Sequence, residues 1–166
     1  MELLILGAGG FATEVEELAR SLGYNNIAFL DDSPDKARCS PIIGKMEDCA
    51  LLKKTYKNAI VALGDNAQRC FWHKKLETLG YLVPSLISSC SYVSPNAVIS
   101  KGCIIRQFCV VGRNVRLGSA TILNIGVKVD HDCSIGDFSH LLIGSVARGC
   151  ISLPPFTLVN ANEVRQ

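Results

Sequence analysis

The sequence predicts an α/β domain of Rossmann-like type over residues 1–88, followed by a parallel β-helix over residues 89–166. Three observations carry this. Near the N-terminus a glycine-rich loop joins an apolar run to an amphipathic stretch. From Val93 onward an aliphatic residue returns at every sixth position. The composition, 48% hydrophobic and 19% charged over 166 residues, supplies a core and excludes a disordered chain.

The first apolar run is Glu2–Leu6, stopped by Gly7-Ala8-Gly9-Gly10. Residues 13–22 then place Val15, Leu18, Ala19 and Leu22 at helical spacing, and Gly23 suits the residue after a helix end. Residues 27–30 read as a second strand, closing on the turn chemistry of Asp31-Asp32-Ser33-Pro34. Strand, glycine turn, helix and strand make a βαβ unit, so the sheet is parallel. A third strand is expected at residues 59–63, a helix at 68–79 and a last strand near 81–87.

Gly7-x-Gly9-x-x-Ala12 sits between a strand and a helix, where glycines let backbone N–H groups approach a phosphate at the positive end of the helix. Asp31 lies 22 residues past Gly9, near the spacing at which an acid bonds a ribose hydroxyl. The plain alternative is a tight turn capped by its aspartates. With about four strands the domain is half a dinucleotide fold, sized for one nucleotide rather than for NAD.

In the second half, every sixth residue from Val93 to Val159 is aliphatic, twelve positions in one register. At this composition such a run arises by chance on the order of once in ten thousand trials, or roughly once in a thousand over the six registers. Four residues after the aliphatic positions from Val93 to Leu141 comes a small or medium one, among them Ala97, Cys103, Cys109, Val115 and Val127. This is the hexapeptide pattern of a β-helix, in which three hexads close one triangular coil and residues eighteen apart stack. Residues 93–166 make about four coils, a length that invites trimerisation to cover exposed walls and ends.

Other classes are excluded by what the sequence lacks. A net charge of +2 without a basic run disfavours nucleic acid and anionic membranes as partners. No cationic leader and no apolar stretch of about 18 residues is present, so a cytoplasmic location is expected. Eight cysteines contain no C-x-x-C pair and only three histidines accompany them, so they read as reduced core fillers and no metal is expected.

The stretches "LGAGGFATEV", "LGYNNIAFLDD", "ALGDNAQR", "SSCSYVSPNAVIS" and "ATILNIGVKVDHDCSIGDFSH" resemble the bacterial β-helix acetyltransferases that act on nucleotide-linked amino sugars or sialic acid. The resemblance implies a left-handed coil, acetyl-CoA as acyl donor and a homotrimer with sites between subunits. It implies His131 as general base, Asp132 as its tuning acid, and His140 with Gly144 at the acetyl-CoA site. For the nucleotide-sugar it implies Gly7, Gly9, Gly10, Phe11, Asp31, Asp32, Gly64, Arg69 and Asn124. The repeat phase places both His131 and His140 outside the interior columns, facing out. His73, beside Lys74 and Lys75, is expected to be solvated.

Three departures from the family pattern stand out. Phe11 replaces a histidine. Pro154 and Pro155 threaten the strand ladder by removing two donors. The sequence ends at Gln166, where family members add coils, so weak donor binding is expected. Alternatives to N-acetylation are sialic acid O-acetylation, a non-catalytic nucleotide-sugar-binding trimer, and an NAD-binding oxidoreductase fragment.

Overall fold

The computed structural model describes the backbone of residues 1–166 and every side chain except that of Lys36. It divides into two units, Met1–Pro84 and Ser85–Gln166.

In the first unit the elements run β1 (Glu2–Leu6), α1 (Gly10–Ser21), β2 (Asn26–Leu30), β3 (Ile42–Gly44), α2 (Cys49–Leu52), β4 (Ala59–Val61) and α3 (Asn66–Thr78). The four strands form one parallel sheet in the order β3-β2-β1-β4. Leu3, Leu4, Ile5 and Leu6 of β1 are all fully buried, as the continuous apolar run of a central parallel strand demands. Helix α1 buries Ala12, Val15, Leu18 and Ala19 on one face. Strand β3 escapes sequence reading because three residues of mixed burial carry no periodicity.

The strand expected at 81–87 is divided. Leu82 makes only an isolated bridge to Asn58, whereas Leu86–Ile87 pairs with Ile104–Ile105 in the second unit. Proline at position 84 offers no N–H, so the run breaks there.

The second unit is a left-handed parallel β-helix whose two-residue strands stack into three walls. One wall runs Tyr92–Val93, Val110–Val111, Lys128–Val129, Val146–Ala147, Val164–Arg165. The second runs Val98–Ile99, Arg116–Leu117, Ser134–Ile135, Ser152–Leu153. The third runs Leu86–Ile87, Ile104–Ile105, Ile122–Leu123, His140–Leu141, Leu158–Val159. Each step is eighteen residues, and the aliphatic columns lie inside: Val111, Leu117, Ile105, Leu123, Val129, Ile135 and Leu141 are at most 1% exposed. The small residues expected beside them fill the inner corners, with Cys103, Cys109, Val115, Val127 and Cys133 buried.

A second period of six is visible in the backbone. From Gly102 to Asn162 every sixth residue has a positive φ, including Asn114, Asp132, Gly144 and Cys150. The left-handed conformation costs an L-residue roughly 1–2 kcal/mol, so stacking of the coils must hold these corners. Gly112 illustrates the fit: a Cβ there would lie 2.9 Å from the backbone of Asp130 and His131 in the next coil.

Pro154 and Pro155 do not interrupt the ladder. They occupy the corner between Ser152–Leu153 and Leu158–Val159, where their missing donors are not needed, and Leu153 keeps its place against Ile135. Among the described residues no helix is long and apolar enough to cross a membrane.

Candidate active site

His131 and Asp132 form the corner between the strands Lys128–Val129 and Ser134–Ile135. Asp132 adopts φ +57°, which turns its side chain back toward its neighbour. The His131 ring Nδ1 lies 2.8 Å from Asp132 Oδ2, and Asp130 Oδ1 accepts from the His131 N–H. Asp132 is held below the usual carboxylate range, first by the hydrogen bond from Asn114 and then by that from His131. An ionised carboxylate only accepts, so Nδ1 carries the ring proton and Nε2 keeps a lone pair. The same bond, with the charge of Asp130 next, raises the His131 pKa above its ordinary value. An exposed, strengthened base with a fixed tautomer can take a proton from an attacking nucleophile.

Neighbouring coils complete the corner. Asn114, eighteen residues before Asp132, donates from Nδ2 to Asp132 Oδ1 at 2.9 Å. Gly149, eighteen residues after His131, lies under the imidazole: a Cβ there would come 2.8 Å from Nε2. The Cys150 thiol lies 4.0 Å from Nδ1. A cavity of about 340 Å³, lined by His131, Asp130, Arg148, Gly149, Ile151 and Gln166, opens beside the ring. A second, of about 410 Å³, is lined by Asp132, Asn114, Arg116 and Ser134 among others. Asn114, Gly149 and Cys150 were missed by sequence reading, although adding or subtracting eighteen from 131 and 132 finds all three.

His140 does not share the exposed position of His131. It is only 7% exposed, because it belongs to the outward row of the third wall, where Leu86, Ile104 and Ile122 are apolar and buried. The phase put it outside the core correctly, but outside is not solvated on this wall. Gly144 sits at a corner with φ +67°, packed beneath the Asn162 side chain. Asn124 lies on another corner from His131, after Ile122–Leu123, where its Oδ1 accepts from Arg106 Nη1 (2.7 Å) and from the Ile125 N–H.

In the first unit the glycine loop is tied to the end of β2. Gly7, at φ +101°, donates to the Leu30 carbonyl, and Asp31 accepts from Ala8 N–H and Ser33 N–H, each at 2.7 Å. Asp32 accepts from Met46 N–H at 3.0 Å. A cavity of about 170 Å³ joins Gly7, Asp31, Asp32, Met46, Gln68 and Trp72. Helix α1 begins after Gly9 with no side-chain cap, both Gly9 and Gly10 are exposed, and Phe11 is half-buried at the start of the helix.

Two expectations for this unit are corrected. Arg69 is 1% exposed, and its guanidinium donates to the Leu63 and Gly64 carbonyls and to Asn66 Oδ1. It therefore anchors the loop after β4, with Gly64 as one of its acceptors, instead of reaching out to a phosphate. His73 is likewise 1% exposed, facing inward on α3 with its Nε2 3.6 Å from Glu77. The lysines that follow it point elsewhere on the helix.

Comparison with known proteins agrees with both halves. Residues 2–76 match the PglD N-terminal domain family. The acetyltransferase domain of PglB from Neisseria gonorrhoeae, solved with acetyl coenzyme A, superposes with a TM-score of 0.86 at 29% identity, covering 96% of this chain and 88% of that one. A mutant perosamine N-acetyltransferase from Caulobacter crescentus, solved with CoA and GDP-perosamine, gives 0.87 at 23% identity, covering 100% of this chain and 89% of that one. WeeI from Acinetobacter baumannii gives 0.75 at 18% identity, covering 99% and 94%.

Proposed function

We propose that this chain belongs with the bacterial sugar acetyltransferases of the left-handed β-helix type, which it resembles, and moves an acetyl group from acetyl-CoA to the amine of a nucleotide-linked amino sugar. The observation that carries this reading is the His131–Asp132 corner, a base of fixed tautomer at the mouth of a cavity. The amine nitrogen attacks the thioester carbonyl carbon, and the C–S bond breaks as the C–N bond forms. His131 Nε2 accepts the proton that the nitrogen must lose. The imidazolium so formed is stabilised by Asp132 and returns the proton to the departing sulfur. Asp132 and Asn114 position the ring and touch no reacting atom.

Recognition of the acceptor falls to the first unit. Exposed backbone at Gly9 and Gly10 faces the phosphates from the helix start, and each Asp31 oxygen, with one donor already bound, keeps a lone pair for a ribose hydroxyl. Asp32 and Gln68 line the same cavity. For the second unit we propose assembly as a homotrimer about the prism axis.

Release of free CoA thiol tests the function: acetyl-CoA with a UDP- or GDP-linked 4-amino sugar should yield thiol continuously, and the corresponding 4-hydroxy sugar should not. Thiol release only with a hydroxyl acceptor would favour O-acetylation. Binding is checked separately by thermal shift. The cognate nucleotide-sugar at about 100 times its dissociation constant should add roughly 2.7 kcal/mol of stability. NAD should add none, and stabilisation by NAD alone would return the oxidoreductase reading.

Gly149 offers a sharper probe of geometry. In Gly149→Val the new side chain must displace the His131 ring, a flexible group, so folding should survive. Turnover should fall about tenfold to a hundredfold through misplacement of the base. Equal turnover in the variant would show that the ring does not work from this position.

A further inference from the structure

Spacing along the chain argues against a metal, yet the coil brings together three donors that spacing keeps apart. His131 Nδ1, an Asp132 carboxylate oxygen and Cys150 Sγ all lie within 4.8 Å of one another, and all three residues are exposed. The pairs Nδ1–Oδ2 at 2.8 Å and Sγ–Nδ1 at 4.0 Å bracket the separations of about 3.3–3.6 Å expected between ligands of a tetrahedral zinc ion. Closing the set needs side-chain rotations and no movement of the coil. One thiolate, one imidazole and one carboxylate also balance the charge of a divalent ion. This donor set suits zinc better than magnesium or calcium, which prefer oxygen.

We propose that His131, Asp132 and Cys150 form a capture site for a thiophilic divalent cation, zinc above all, and that the bound ion switches off the base. Capture needs only these three side chains. The switching rests on the acetyl-transfer reading given above. On binding, the Cys150 thiol releases its proton to solvent and the Asp132 carboxylate leaves Nδ1 for the ion. An imidazole that gives its Nδ1 lone pair to a metal keeps its single proton on Nε2. Nε2 then has no lone pair left for the proton of an amine, so the ring cannot act as a base whatever else is bound. The fourth tetrahedral position stays open to water, so the site is inhibitory and reversible rather than structural.

Cobalt(II), which takes tetrahedral zinc sites and reports a thiolate ligand as a near-ultraviolet charge-transfer band, tests capture on the full chain. The band should saturate in the wild type and in Cys90→Ser, which removes the other exposed thiol. It should be absent in Cys150→Ser and disappear from the wild type when zinc is added. Cys150→Ser removes the one thiol of this donor set, and the zinc response of each enzyme is read against its own metal-free turnover. Zinc at ten times its dissociation constant should cut wild-type turnover roughly tenfold and that of Cys150→Ser less than twofold. No band in the wild type, a band that persists in Cys150→Ser, or equal zinc sensitivity of the two would overturn the proposal. A chain that shows the band but transfers no acetyl group would keep the capture site and remove the enzymatic reading.

Discussion

His131→Ala is expected to lose acetyl transfer by about 10²–10⁴-fold in kcat while its melting temperature stays within a degree or two of the wild type. The side chain is exposed at a corner whose backbone bonds do not involve the ring, so little folding energy is at stake. What is lost is the only group in this corner with both a free lone pair and a carboxylate behind it. Asp132→Asn should show a milder version of the defect, since an amide neither fixes the Nδ1 proton as firmly nor stabilises the imidazolium. Steady-state rates measured with both substrates saturating would check this. A His131→Ala enzyme that kept more than half of the wild-type kcat would end the assignment of the base.

The largest stability effect is expected inside the β-helix. Leu123 is fully buried between Ile105 and Leu141, which are fully buried themselves, so removing its side chain leaves a cavity that the rigid coils cannot close. Leu123→Ala should cost about 2–5 kcal/mol. At roughly 4–8 °C per kcal/mol for a unit of this size, the β-helix transition should fall by about 8–40 °C. Val110→Ala, on an outward and exposed position one residue from the interior Val111, should change stability by no more than about 0.5 kcal/mol. Calorimetry on the two variants compares the columns directly, and equal losses would mean that the hexad phase has been misassigned.

Much of this was legible because a solenoid writes its geometry into the chain. An aliphatic residue at every sixth place identifies both the coil and its inside, and the outward phase of His131 follows from the same count. What periodicity does not report is which outward faces are wet. His140 shares the outward phase and is nonetheless buried, since Ile104 and Ile122 make its row apolar. Contacts between coils were missed for a related reason: Asn114, Gly149 and Cys150 are distant along the chain and adjacent only after stacking. In the first unit the loop, helix and strand signals were local and survived. A cation in a loop-to-helix segment, such as Arg69, looks the same in sequence whether it reaches outward or folds under to hold carbonyls. Strand β3, three residues long, has no pattern to find.

Mass spectrometry of the nucleotide-sugar after incubation with acetyl-CoA tests the central claim most directly. A UDP- or GDP-linked 4-amino sugar should gain one acetyl group, held in an amide that resists mild base, at a rate that falls by at least a hundredfold in His131→Ala. The contradicting result is an unmodified amino sugar, or a base-labile ester on a hydroxyl acceptor, formed equally well by wild type and variant.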